Sequence, residues 1–166
     1  MNLYIDEEWY PGGSIFLHSY ATDTSYCYQL YGRRLNQHNI ERSLRLASQG
    51  IIFIYGPDIG FIEKEYGINI RDTYACINLL RVFKAVIPKR SSYKLADLEY
   101  DYGIARKVKK YKENIFSIYR DFNTHSKRQA VLRYNREDVI NLRKLKEIIF
   151  SQYPISQQDL LTMRLT

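Results

Sequence analysis

A chain of 166 residues, 45% apolar and 26% charged, has the length and make-up of one globular domain, which excludes a disordered polyelectrolyte or a fibrous repeat. No stretch reaches the about eighteen consecutive apolar residues of a membrane span, and no signal-peptide layout opens the chain, so a cytoplasmic protein with no membrane partner is expected. The formal net charge of +7 is unevenly spread: residues 1–80 carry 6 Lys/Arg against 9 Asp/Glu, whereas residues 81–136 carry 15 against 5. A basic middle beside acidic candidates fits a polyanionic partner whose chemistry needs cations.

The N-terminal third reads as sheet. Residues 3–6 form a short strand, Pro11-Gly12-Gly13 a turn, and residues 14–20 and 25–31 an aromatic and β-branched hairpin around Thr22-Asp23-Thr24. A helix is predicted over 39–47, where Ile40, Leu44 and Ala47 recur at helical spacing before Gly50. The continuous apolar run 51–55 marks a strand covered on both faces. Gly56-Pro57 breaks it, and a short helix through Ile59, Ile62 and Tyr66 ends at Gly67. Residues 68–71 suggest a further strand, followed by a helix through Ala75, Leu79, Leu80 and Phe83.

The second half reads as helical. A helix over 95–102 stops at Gly103, residues 106–112 are strongly basic, and residues 115–122 are apolar on one face. The longest periodic pattern runs over 129–150, with Val131, Leu132, Val139, Leu142, Leu145 and Ile149 near a 3.6 period. Ser156-Gln157-Gln158-Asp159 has the form of a capping box. The expectation is one α/β domain over 1–150, a mixed sheet in which a three-strand meander precedes alternating strands and helices. A tail over 151–166 carries a short helix packed on it.

Strand alternation projects Asp6 and Glu8 to the same face of the first strand. Tyr134 and Asp138, four apart, share a face of the long helix. Asp58 follows the buried strand 51–55 at its carboxyl end, a usual place for ligand sites in α/β sheets, although it also suits a helix N-cap. Glu7 replaces Glu8 if the strand ends early, and Asp72, after the run 68–71, is the alternative to Asp58. Phosphodiester cleavage by a pair of divalent ions roughly 4 Å apart needs such carboxylates, and hard cations prefer their oxygens. Cys27, Cys76, His18, His38 and His125 show no zinc or triad spacing, and the cysteines are expected as buried, reduced thiols. Basic runs including Lys107, Lys109, Lys110 and Arg128 are candidate phosphate contacts. Tyr93, Tyr111 and Tyr119, among the 16 tyrosines, are candidate stacking platforms.

These motifs in this order resemble the DEDD superfamily of 3′–5′ exonucleases, in the branch with a tyrosine in its third motif. Asp6-Glu7-Glu8 matches its first motif, Asp58 its second, and Tyr134-Asn135-Arg136-Glu137-Asp138 its third. Residues 92–99, continuing to Gly103-Ile104, are also similar to small bacterial and archaeal members. The resemblance covers residues 2–148. It implies a ribonuclease H-like fold and two Mg²⁺ or Mn²⁺ ions on Asp6, Glu8, Asp58 and Asp138. It further implies that Tyr134 orients the attacking water as single-stranded DNA or RNA ends are trimmed. The alternatives are an endonuclease of the same fold and a catalytically inactive nucleic-acid-binding module.

Overall fold

The structure, a computed structural model, describes residues 1–111 and 115–166. Lys112, the end of the basic run read from the sequence, lies outside the described residues. Five strands, β1 (Leu3–Trp9), β2 (Ile15–Thr22), β3 (Tyr28–Tyr31), β4 (Ile51–Ile54) and β5 (Ala75–Asn78), form one sheet in the order β3-β2-β1-β4-β5. The first three pair antiparallel, whereas β4 and β5 run parallel to β1. That reversal of strand order beside β1 makes a crevice at the carboxyl ends of β1 and β4.

Helices cover both faces. On one lie α1 (Gln37–Leu44), α2 (Asp58–Tyr66) and α3 (Ile70–Thr73). Ile40, Leu44, Ile59 and Ile62 from these pack on Leu3, Ile5, Ile52 and Ile54 of the sheet. On the other lie α4 (Leu79–Val86), α5 (Leu95–Asp101) and α7 (His125–Gln152). Val82, Phe83, Leu98, Val139, Leu142 and Leu145 meet Tyr4, Phe53 and Ile77 there. A third cluster seats α6 (Ile115–Asn123) and the start of α7 on Phe16 and Leu17. Each large apolar side chain taken fully out of water contributes about 1.5–3 kcal/mol, so the stripe Val131, Val139, Leu142, Leu145 and Ile149 fixes the rotation of α7 over the sheet.

The sequence reading misplaces one strand. Residues 68–71 are not extended: Ile70–Thr73 closes a single helical turn, with Tyr74 N donating to Ile70 O at 2.8 Å. The Glu63 carboxylate accepts from both the Arg71 backbone N (3.0 Å) and Nε (2.8 Å), which holds that turn in place. The strand is β5, pairing Ala75–Asn78 with Ile51–Ile54. The helix then starts later than its apolar period suggests, because Asn78 caps α4 through its side chain, accepting from Leu80 N. In the tail, α8 (Gln157–Thr162) opens with the expected capping box and buries Leu160. Beyond it, Leu165 N donates to Cys76 O and Arg164 bridges Ile77, so the outer edge of β5 is partly covered. Both cysteines are free thiols, Cys76 buried and Cys27 half-buried. Among the described residues no helix is long and apolar enough to cross a membrane.

Candidate active site

The carboxylates sit where the chain crosses from β1 to the crevice. Strand β1 continues to Trp9, so alternation puts Asp6 and Glu8 on the α7 side and Glu7 on the α1 side. Carboxylate oxygens of Asp6, Glu8 and Asp138 lie within 4.8 Å of one another. Glu8 and Asp138 are buried and Asp6 half-buried. Burial first, and then mutual repulsion, raises Asp6 and Glu8 well above the usual carboxylate range. Burial pushes Asp138 up to about 7 against the pull of the Arg106 guanidinium. Three crowded, desolvated carboxylates are a donor set that suits a hard divalent cation, whose charge offsets the repulsion.

Asp58 is the first residue of α2, just beyond β4. The capping alternative is not realised: Pro57 holds the N-cap position without a side-chain cap bond. Asp58 is buried, burial pushes it up to about 7, and its charge raises Asp6 in turn. It therefore stands beside the trio without joining its tightest grouping. Asp72 is exposed on α3 and is not among the clustered acids.

Glu7 faces a separate buried set. Its carboxyl meets His18 Nδ1, and His18 Nε2 lies 3.0 Å from Ser43 Oγ. Because Ser43 Oγ donates to Ile40 O at 2.7 Å, it accepts from Nε2–H, which leaves Nδ1 as acceptor for the Glu7 carboxyl proton. Burial favours this neutral pairing, lowering His18 to about 3 and raising Glu7. Glu7 is thus spent in packing β1 and β2 against α1.

Helix α7 brings Tyr134 one turn before Asp138. The half-buried Tyr134 ring packs edge-on to Tyr111 at 5.4 Å and lies 5.0 Å below the Arg106 guanidinium. Burial raises its hydroxyl above the usual phenol range. Asp6, Asp138, Tyr134, Tyr55, Lys94 and Arg106 line a cavity of about 280 Å³, so acids and cations share its lining.

Two residues join the site in roles the sequence reading did not assign: Asn135 was not a candidate, and Arg106 stood only in a basic run read as phosphate contacts. Asn135 is fully buried, and its Nδ2 donates to Asp6 Oδ2 at 2.5 Å. The amide orientation is over-determined. Leu132 O accepts from Gln29 Nε2 (2.9 Å), the same nitrogen donates to Asn135 Oδ1 (3.3 Å), and Ser19 Oγ donates there too. Only Nδ2 is left for Asp6. The visible signal was an amide at a position of α7 that the apolar stripe otherwise fills. Arg106 makes a paired contact to Glu99 (2.6 and 2.7 Å) and reaches Asp138 Oδ1 at 2.5 Å, with Arg106 and Glu99 almost wholly buried. Nothing in the sequence separates Arg106 from the exposed cations beside it.

The basic candidates fare unequally. Lys107 and Lys109 are exposed, and neither forms an ion pair among the described residues. Lys110 is tied to Asp121. Arg128 donates to Phe122 O at the α6–α7 turn. Tyr93 is half-buried against the core with its hydroxyl on main-chain carbonyls at 3.2 and 3.3 Å. Tyr111 is buried, and Tyr119 is exposed beside Tyr10.

A mixed sheet of this order, with acids gathered at its crevice, defines a ribonuclease H-like α/β protein. A model of the RNase H superfamily matches residues 3–150, and the chain belongs to that superfamily. Among solved structures, the family B DNA polymerase of the hyperthermophilic archaeon Pyrobaculum calidifontis is similar, with a TM-score of 0.69 at 16% identity. The match covers 90% of this chain and 24% of that one, so the chain spans about a quarter of the polymerase, and the likeness is one of fold. No curated protein matches the chain.

Proposed function

We propose that the protein is a metal-dependent nuclease that removes nucleotides from the 3′ ends of single-stranded DNA or RNA. The observation that carries this reading is the convergence of Asp6, Glu8 and Asp138, from the first strand and the last long helix, with oxygens within 4.8 Å. Superfamily membership supports a nuclease, and the order of the acid motifs supports the exonuclease form.

In this reading Asp6, Glu8, Asp58 and Asp138 hold two Mg²⁺ or Mn²⁺ ions. Such ions, when bound, supply an activated nucleophile and stabilise charge on the leaving oxygen. Asn135 fixes one oxygen of Asp6 and so directs the other into the site. Arg106 does the same for Asp138. The Tyr134 hydroxyl, held by Tyr111 and Arg106, accepts or donates a hydrogen bond to the attacking water. Its raised pKa makes it an orienting group rather than a base.

The test follows end-labelled linear and circular single strands in Mn²⁺. Trimming of the linear strand alone, abolished by Asp138→Asn and reduced at least tenfold by Tyr134→Phe, is expected. Equal cutting of circles refutes the exonuclease form, and full activity in Asp138→Asn refutes the site.

A further inference from the structure

Behind Tyr134, on the flank of α7 turned away from the sheet, a second groove of about 660 Å³ runs between residues 105–110 and α7. Its wall is anchored on both sides. The Glu137 carboxylate accepts from Lys107 N (3.1 Å) and Val108 N (3.0 Å), while Arg106 grips Asp138 and Glu99. Glu137 is the groove's one acid among the described residues, and the backbone amides already engage it. Lys107, Lys109, Arg133 and Lys144 stand on the rim, exposed and without an ion pair among the described residues. Ala105, Val108, Ala130 and Ile140 supply a floor with no charge.

We propose that this groove holds the sugar-phosphate backbone of a single strand upstream of the cleaved end, so that substrate strands pass along α7 before reaching the acids. The inference rests on the nuclease reading for its direction, but not for the binding itself. Cations spaced along a rim over an uncharged floor match phosphates spaced along a chain whose sugars lie between them. The Arg106 side chain lines the acid cavity, whereas its neighbours Lys107 and Lys109 line the groove, so one stretch of wall serves both. An anchored wall also costs little ordering on binding.

The experiment uses the full chain and the double variant Arg133→Ala/Lys144→Ala, with Arg34→Ala/Lys84→Ala as a charge-matched control. Fluorescence anisotropy of labelled 20-nucleotide DNA and RNA strands is measured in EDTA between 50 and 200 mM salt. Each lost single-strand phosphate contact lowers the salt slope by about 0.7, so the groove variant loses about 1.4. Its deficit relative to the wild type therefore shrinks about sevenfold across that range, while the control keeps the wild-type slope. In Mn²⁺, turnover of the 20-mer falls further than that of a trinucleotide. An unchanged slope overturns the proposal, as does an equal loss on both lengths. Polyglutamate binding as tightly as the oligonucleotide overturns it too, by assigning the groove to acidic proteins. Should neither length be hydrolysed by the wild type, the nuclease reading fails and the salt slope alone still decides the groove.

Discussion

Asn135→Asp isolates the role of a single buried amide. The side chains are nearly isosteric, and the acceptor for Ser19 and Gln29 survives, so the packing of α7 on β2 and β3 is kept. What changes is the donor to Asp6 at 2.5 Å, a hydrogen bond of the kind worth about 1.5–3 kcal/mol once Asp6 is ionised. At low pH the introduced carboxyl carries a proton and donates the same bond. As pH rises, two carboxylates at that distance resist joint ionisation, and the introduced group is raised above its unfolded value near 3.9. A raised acid contributes stability that is present below the unfolded pKa and lost as pH climbs through the folded one. Urea unfolding without metal is therefore expected to show near wild-type stability at pH 3.5 and a deficit of about 2–3 kcal/mol at pH 8. A misdirected Asp6 that loses about 2 kcal/mol of transition-state stabilisation slows turnover roughly 30-fold. Equal stability at both pH values with wild-type turnover would refute the positioning role.

Other outcomes follow from the same geometry. With Asp58 and Asp138 held near 7, the metal-free protein loses stability as pH rises from 5 to 8, so Mn²⁺ should raise the melting temperature more at pH 8 than at pH 5.5 in a thermal-shift assay. Arg106→Met strands Glu99 in the interior and should cost about 3–5 kcal/mol, whereas Glu99→Leu/Arg106→Met, measured by urea denaturation, should cost less than either single change. His18→Leu removes the acceptor for Glu7 and the donor to Ser43, for an expected loss of about 2–4 kcal/mol in urea with Mn²⁺ dependence of turnover retained. Leu145→Ala, at a fully buried position of α7, should lower stability by about 2–5 kcal/mol by denaturant titration.

The alternation of β1 and the 3.6 period of α7 were readable because both elements bury one face and dictate which side chains share it. That much places Asp6, Glu8, Tyr134 and Asp138 on their elements before any coordinates. The strand at 75–78 was hidden because Ala75 and Cys76 fit a helical stripe as well as a strand, and only the cap at Asn78 divides them. Arg106 was hidden for a different reason. Its neighbours Lys107, Lys109 and Lys110 carry the same charge in solvent, and burial depends on Glu99, seven residues earlier, reaching it across the end of α5. Asn135 was visible as an anomaly, a polar group in an apolar stripe, but its partner Asp6 lies at the other end of the chain.

Consecutive acids of β1 belong to opposite worlds, Glu7 to a neutral pocket under α1 and its neighbours to the crevice. Sliding this strand by one position against β2 would set Asp6 or Glu8 opposite His18, carry the other out of the crevice, and leave Glu7 as the one acid of β1 facing Asp138. Misaligned chains would thus lose the paired carboxyls of the crevice and place an acid of the wrong length against His18. The spacing of acids along β1 thereby penalises a slipped register during folding.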